Sequence, residues 1–276
     1  MSCFFRRLSS LLLLGVVWFM LAGCAATRPA MLPLAADEER QVRQQASSLL
    51  MPADACGRCL DVEARIVVQS LWQSGTLQGY LLAREPGAFK FVGLSPLGQP
   101  LLMLTTDGVS FRFISVAEAA AYEGRTTAAT FRKYAPPGLD PQTSFFWLIG
   151  RLPRDSRIIG ISRDEDGGGY WLELANGAAG HHRVLFDPVQ GVISRAVLLG
   201  EDEEPLLDVR YGAYQQVGAL GGAAGCRMPG TVSVSGRGHN GAALTVQFSN
   251  WLLGTTCRDR DFVVTVPPGF QTVRVE

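Results

Sequence analysis

The sequence predicts a mainly β protein with a few α-helices, built on a strongly curved antiparallel sheet that forms an open half-barrel closed by a helical lid. From Leu60 onward, apolar and polar residues alternate with a period of two, which is typical of half-buried strands. The breaks between these runs are short and rich in glycine and proline, so neighbouring strands form hairpins. About a dozen strands result, and antiparallel sheets of roughly ten or more strands curl or close.

The predicted strands follow one another as a meander, interrupted once by residues 126–153. They span residues 62–70, 77–84, 89–94, 100–105, 109–114, 157–162, 170–175, 183–186, 192–199, 206–214, 231–235, 243–251 and 262–266. We expect the helices to cover the open side of the curved sheet. The high apolar content of the chain indicates that the interior is apolar.

The first predicted helix spans residues 37–51. Asp37 can cap its N-terminus, and Pro52 stops it. A short helix is also predicted over residues 126–134. These segments flank the first group of strands.

The last predicted helix spans residues 140–150. Asp140-Pro141 is a typical helix start, with a capping side chain followed by proline at the first helical position. Residues 145–149 are apolar almost all round the helix, so it must be covered on most sides.

The N-terminus has the pattern of a secretory signal. Two arginines precede an apolar run at residues 11–20, which is too short for a membrane span of roughly 20 residues. The four residues that end in Cys24 resemble a bacterial lipobox, in which the cysteine is acylated and the chain is cut before it. We therefore expect lipidation of Cys24, and a lipid anchor holds a protein at a membrane surface through its acyl chains.

Three segments follow from this interpretation. Residues 1–23 are a lipoprotein signal peptide, residues 24–36 a flexible tether, and residues 37–276 a single domain. In the lipoprotein class, an aspartate after the lipidated cysteine commonly signals inner-membrane retention. Ala25 stands there, which favours the periplasmic face of the outer membrane.

The charge balance argues against a nucleic-acid partner. The chain has 25 basic and 25 acidic residues and no basic stripe. Four cysteines remain in the mature domain as disulfide candidates: Cys56, Cys59, Cys226 and Cys257. Disulfides are the default in an oxidising compartment, and the sequence does not choose among the three possible pairings.

Enzymatic and metal-dependent functions have little support. Cys56 and Cys59 form a Cys-x-x-Cys motif, but it precedes a strand rather than a helix, which argues against a redox site. His181 and His182 point to opposite faces of a strand and cannot chelate together. We expect no catalytic residue, no metal and no cofactor.

Three segments resemble the outer-membrane lipoprotein receptor family LolB. Residues 89–104 are similar to that family's strand, Pro-Leu-Gly turn and following strand, and residues 146–153 to its helix that ends in Trp, Gly and Pro. The third segment, Met228-Pro229 with residues 246–251, is similar to its closing strands. Together with the lipobox, the resemblance spans most of residues 24–251. The Cys-x-x-Cys motif and about 25 residues after Trp251 depart from the pattern.

The resemblance implies a hydrophobic cavity that accepts acyl chains of lipoproteins from a soluble periplasmic LolA-like carrier. It also implies a monomer that promotes lipoprotein insertion in the outer membrane, without catalysis. Candidate cavity residues are the apolar side chains Phe91, Leu101, Met103, Phe111, Phe113, Phe145, Trp147, Leu148, Val246 and Phe248.

Pro96, Leu97 and Gly98 form the predicted membrane-insertion loop. Leucine is unusual in a tight turn, where polar residues prevail, and an exposed leucine on the matching loop of the family is thought to enter the membrane. Two alternatives remain open at this point. One is a periplasmic lipoprotein that binds lipid or another hydrophobic ligand without inserting cargo, and the other is a structural lipoprotein of an envelope complex with a filled core.

Overall fold

The computed structural model describes residues 31–50, 58–69, 74–127, 144–153, 155–176, 180–200, 202–218, 225–236, 243–253 and 256–275. This part of the chain is mainly β, with one large open sheet and a few short helices, as the sequence predicts. The elements are β1 (Met31–Leu32), α1 (Ala36–Ala46), a 3-10 turn (Ser47–Leu50), β2 (Cys59–Gln69), β3 (Ser74–Arg84), β4 (Ala88–Leu94), β5 (Pro100–Thr106), β6 (Ser110–Ser115), β7 (Ala120–Arg125), α2 (Ser144–Ile149), β8 (Arg157–Asp164), β9 (Tyr170–Asn176), β10 (Gly180–Asp187), β11 (Val192–Leu199), β12 (Pro205–Gly212), β13 (Gln215–Val217), β14 (Cys226–Met228), β15 (Thr231–Gly236), β16 (Ala243–Leu253), a 3-10 turn (Asp259–Phe262) and β17 (Gln271–Val275).

The large sheet has 15 strands in the order β1-β8-β9-β10-β11-β12-β15-β16-β2-β3-β4-β5-β6-β7-β17. Strands β13 and β14 form a separate two-stranded sheet. The pairs of the large sheet are antiparallel, apart from β17, which runs parallel to β7. Because β16 pairs with β2, the first and last thirds of the chain join in the middle of the sheet.

Cross-strand partners share a face of the sheet, so the pairing register separates an inner from an outer face. One row of partners defines the inner face from β2 to β17: Val62, Leu81, Phe91, Leu104, Phe113, Tyr122 and Val273. The neighbouring row defines the outer face: Leu82, Lys90, Thr105, Arg112, Glu123 and Arg274.

The hydrophobic core lies on the inner face. Leu172, Leu174 and Val184 are 0% exposed there, and side chains of both α-helices belong to the same cluster. Helix α2 contributes Phe145, Phe146, Trp147 and Ile149. The helix that is apolar all round is therefore covered on most sides, as the sequence predicts.

The helix boundaries differ in detail from the prediction. Helix α1 begins at Ala36, and the residue before it, Ala35, makes no side-chain capping bond. Asp37 is thus not the cap; it lies inside the first turn and pairs with Arg40, where a negative charge still interacts favourably with the helix dipole. Helix α2 is described from Ser144, so its predicted start at residues 140–141 lies outside the described residues.

The C-terminal strap, residues 256–270, runs across the outer face of strands β3 to β7. Its main-chain oxygens accept hydrogen bonds from Arg84 and Lys90 on the outer face, and Thr105 donates to the oxygen of Phe262. A disulfide joins Cys257 of the strap to Cys59 of β2.

This strap corrects the prediction for the end of the chain. Instead of a strand over residues 262–266, a 3-10 turn at Asp259–Phe262 is followed by extended chain, and the last strand is β17. Phe262 is 4% exposed and Val263 66% exposed, so burial alternates in this segment although it does not join the sheet. Strand β7, which was not predicted, pairs with β17.

Candidate functional site

The inner face is filled at one end of the sheet and half-open at the other. Inner-face side chains of strands β9 to β12 are buried, whereas six apolar residues on strands β5, β6, β7 and β17 remain partly accessible. We call these residues the inner-face patch: Leu102, Leu104, Phe111, Phe113, Tyr122 and Val273. An accessible apolar surface of this kind gains free energy when another apolar group covers it.

The patch is aromatic at its centre and carries no charge. The rings of Phe113 and Tyr122 stack with centroids 6.0 Å apart and an interplanar angle of 30°. The remaining inner-face positions on these four strands, Thr106, Ser115, Ala120, Gly124, Gln271 and Val275, are uncharged. The Tyr122 hydroxyl donates to the Glu118 carboxylate at 3.1 Å. An alkyl chain can lie on the patch side chains without desolvating a charge.

The structure divides the ten predicted cavity residues into three groups. Phe111 and Phe113 belong to the patch. Phe91, Phe145, Trp147, Val246 and Phe248 are buried in the core, each 9% exposed or less, and Leu148 is partly buried against it. These six side chains belong to the packed core and do not line an open cavity in this structure.

The register of β5 corrects the prediction that Leu101 and Met103 face the cavity. Met103 pairs with Val92 and Ile114, so it lies on the outer face, and Leu101 falls at a bulge outside the inner row. The run Leu-Leu-Met-Leu is apolar at every position, on the half-open inner face and on the outer face alike. Alternation alone therefore could not choose between the faces.

Leu104, Tyr122 and Val273 belong to the site but were not among the predicted cavity residues. Tyr122 and Val273 lie on β7 and β17, strands that were not predicted. Leu104 could have been found from Phe91, because the two are cross-strand partners once the turn between β4 and β5 is fixed.

The predicted insertion loop is the turn between β4 and β5. Leu97 is 86% exposed at its tip. Gly98 has a φ of 78°, and its amide donates to the oxygen of Ser95 at 2.9 Å. The Ser95 hydroxyl accepts from the amides of Leu97 and Gln99 at 3.3 Å and 3.1 Å. These bonds hold the turn so that the leucine points away from the protein.

The cysteines are placed as follows. Cys59 is paired with Cys257, so it is not half of a Cys-x-x-Cys redox site in this structure. Cys226 is also disulfide-bonded. Cys24 and Cys56 lie outside the described residues, as does the signal peptide, so the predictions for them stay predictions.

Burial perturbs three polar groups beside helix α2. Desolvation raises the pKa of Tyr211 and Tyr214 and lowers that of Arg151. Tyr214 donates to the oxygen of Ile193 at 2.6 Å. The tyrosines are therefore neutral at physiological pH, and the guanidinium, with its very high ordinary pKa, remains charged.

Within the described residues, no group of three or more His, Cys, Asp and Glu side chains is arranged to hold a metal ion. Among the helices that the structure describes, none is both long enough and apolar enough to span a membrane.

The sequence matches no protein-family profile and no curated protein. Comparison with solved structures does find matches. A DUF1329-family protein from Desulfovibrio piger superposes with a TM-score of 0.57 at 11% identity, covering 81% of this chain and 96% of that one. A LolA-superfamily protein from Nitrosomonas europaea gives a TM-score of 0.52 at 11% identity, covering 82% of this chain and 97% of that one.

A third solved structure is a putative outer-membrane lipoprotein-sorting protein domain from Vibrio parahaemolyticus, with a TM-score of 0.52, 12% identity, and coverage of 83% of this chain and 97% of that one. The chain has a LolA-like fold. At these identities the likeness establishes the fold alone, so the function must be argued from the inner-face patch and the Leu97 turn.

Proposed function

We propose that this protein is an envelope lipoprotein whose inner-face patch accepts the acyl chains of other lipoproteins. The observation that carries the proposal is the uncharged, half-open row of apolar side chains on strands β5 to β7 and β17. Covering such a surface contributes about 25 cal/mol per Å² of apolar area. An acyl chain is long, flexible and uncharged, so it gains this free energy without needing a polar partner.

The finer proposal is a LolB-like acceptor anchored to the outer membrane through Cys24. In this role the protein takes lipoproteins from a soluble LolA-like carrier and promotes their insertion in the membrane. The exposed Leu97 supports this, because a protruding aliphatic side chain can enter the interfacial region of a bilayer. Transfer is non-covalent and needs no catalytic residue.

A transfer assay tests both statements. The domain is prepared without its lipid, with Cys24 replaced, and is mixed with carrier loaded with a labelled lipoprotein. We expect label to move to this protein, and onward to liposomes. In the Leu97→Glu variant, uptake of label should persist while delivery to liposomes is lost, since a carboxylate resists entry into the bilayer.

Val189→Glu is the matched control. Val189 is also an apolar turn residue, 93% exposed, but it lies between β10 and β11, away from the β4–β5 turn. It should deliver like the unmodified protein. Uptake without delivery in the unmodified protein would favour a lipid-binding protein that does not insert cargo. No uptake from an active carrier would refute the acceptor function.

A further inference from the structure

A pocket lies at the ends of strands β5 to β7, between the sheet and the C-terminal strap. Its volume is about 760 Å³, within the range of roughly 300–1,000 Å³ that small-molecule sites occupy. Its apolar walls include Val109, Phe111, Phe262, Val263 and Val264. Phe111 is shared with the inner-face patch, whereas the other four lie on the strap or on the turn between β5 and β6.

Two arginines of this pocket are held in place by the strap. Arg84 donates to the main-chain oxygen of Cys257 at 3.2 Å and pairs with Asp259 at 2.8 Å. Its guanidinium also lies 5.0 Å from the centre of the Phe262 ring. These contacts fix the cation at the pocket wall rather than leaving it free in solvent.

Arg112 is fixed in the same way. Its Nε donates to Glu123 at 2.7 Å, and one of its terminal nitrogens donates to the main-chain oxygen of Val264. The side chain is about one-third exposed, at 31%. A guanidinium carries five N–H donors in a planar fork, so donors remain for a ligand after these two bonds.

The pocket has an excess of positive charge. Four arginines line it, Arg84, Arg112, Arg125 and Arg274, against three acids, Asp107, Glu123 and Asp259, so the formal sum is +1. Asp107 is engaged in its own turn, where it accepts hydrogen bonds from the amides of residues 109 and 110 at 2.8 Å and 2.7 Å.

Arg274, like Arg125, is an exposed cation of this set. It is the cross-strand partner of Glu123 on the outer face, beside the Arg112–Glu123 ion pair. Glu123 thus lies between Arg112 and Arg274 in the register of the sheet. Within the part of the chain that the structure describes, Arg274 has no hydrogen bond or ion pair of its own.

We propose that this pocket binds an amphiphile with an anionic phosphate head and an apolar tail. The arginine fork matches the geometry of phosphate oxygens, and the valine and phenylalanine walls accept the beginning of an alkyl chain. This binding goes beyond the acyl-acceptor function: the strap builds the pocket, and the strap belongs to the segment that departs from the LolB pattern.

The test is calorimetric titration of the intact domain with dihexanoyl-phosphatidylglycerol below its micelle concentration. We expect saturable binding of one molecule, with weaker binding of dihexanoyl-phosphatidylcholine, whose head has no net charge. Inorganic phosphate should bind far more weakly than either lipid, because it gains nothing from the apolar walls. Equal affinity for inorganic phosphate and the anionic lipid would overturn the proposal of an amphiphile site.

Arg274→Gln should weaken binding of the anionic lipid about tenfold, equivalent to about 1.4 kcal/mol, without disturbing the strap. Arg157→Gln removes the same charge from an exposed position on β8 and should change nothing. Leu104→Gln alters the inner-face patch and should leave binding of the short-chain lipid unchanged. Loss of lipid binding at the pocket can therefore be distinguished from loss of the proposed acyl-acceptor function. Absence of saturable binding, or equal weakening by the Arg157 and Arg274 variants, would refute the site.

Discussion

Replacement of Leu104 by glutamine places a polar amide in the middle of the inner-face patch. Leu104 is partly accessible, and its cross-strand partners are Phe91 and Phe113. Because the side chain already touches solvent, the folded protein tolerates the amide there. An acyl chain that lies on the patch must instead cover that amide and strip it of water.

The expected loss of acyl affinity has two parts. Full burial of a leucine side chain is worth about 1.5–3 kcal/mol, and roughly half of that is left to gain at a half-buried position, so about 1 kcal/mol is lost. Desolvation of the unpaired amide adds at least about 1 kcal/mol. The sum of about 2 kcal/mol corresponds to a roughly 30-fold increase in Kd.

Displacement of a fluorescent fatty acid, whose emission rises in apolar surroundings, measures this Kd. Leu101→Gln is the matched control, because Leu101 is on the same strand, is 44% exposed and lies outside the patch. It should retain the unmodified affinity. If the Leu101 variant loses as much affinity as the Leu104 variant, or neither loses any, the patch is not the acyl-binding surface.

Three further changes test the fold away from the patch as well as the strap. Cys257→Ser opens the disulfide to Cys59, which closes a loop of 198 residues, and should lower the free energy of unfolding by about 2–5 kcal/mol in a urea titration. Leu172→Ala empties a site that is 0% exposed and should cost about 2–5 kcal/mol, seen as a lower urea midpoint with an unchanged slope. The hydrogen bond from Tyr170 lowers the pKa of Glu38, so the stabilisation from this carboxylate is present at neutral pH and is lost as the pH falls through the lowered pKa. An NMR titration of the Glu38 carboxyl measures this pKa, and Glu38→Gln should remove this part of the acid destabilisation.

Each of these three predictions can be contradicted by a specific result. A serine variant as stable as the oxidised protein would show that the strap is not fastened by this disulfide. A loss well under 1 kcal/mol at Leu172 would contradict close packing on the inner face, since large cavities in rigid cores are costly. A Glu38 carboxyl that titrates in the ordinary range would contradict the Tyr170 bond between α1 and β9.

The sequence predicts the strands that bury one face and expose the other. Residues 62–70 and 243–251 alternate because their outer positions meet water, and both strands lie close to their predicted limits, at Cys59–Gln69 and Ala243–Leu253. The hairpin between β4 and β5 is also predictable, since Pro96 and Gly98 leave few alternatives to a tight turn.

What could not be predicted depends on the strap. It bonds to the outer face at Lys90, Thr105 and Arg112, so outer-face positions there are covered, and Thr105 is 6% exposed. Apolar residues on both faces erase the period-two signal, which explains the wrong assignment of Met103. Strand β7 contains Ala120, Ala121 and Gly124, residues with low strand propensity, and it is fixed by its neighbours β6 and β17 instead.

The pocket lined by the arginines could not be predicted from the sequence either. Arg84, Arg112 and Arg274 are far apart in the chain and come together because β17 pairs with β7 while the strap crosses β3. Long-range contacts of this kind leave no local pattern. The same holds for the bond between Cys59 and Cys257.

Photo-crosslinking with a fatty acid that carries a diazirine on its alkyl chain tests the acyl-binding claim most directly. After irradiation of the complex, peptide mass spectrometry identifies the modified residues. Adducts at Leu102, Leu104 and Phe113, competed away by unlabelled fatty acid, are the predicted result. Adducts confined to the outer face, at Thr105 or Arg112, or adducts that unlabelled fatty acid does not reduce, would contradict an acyl-binding inner face.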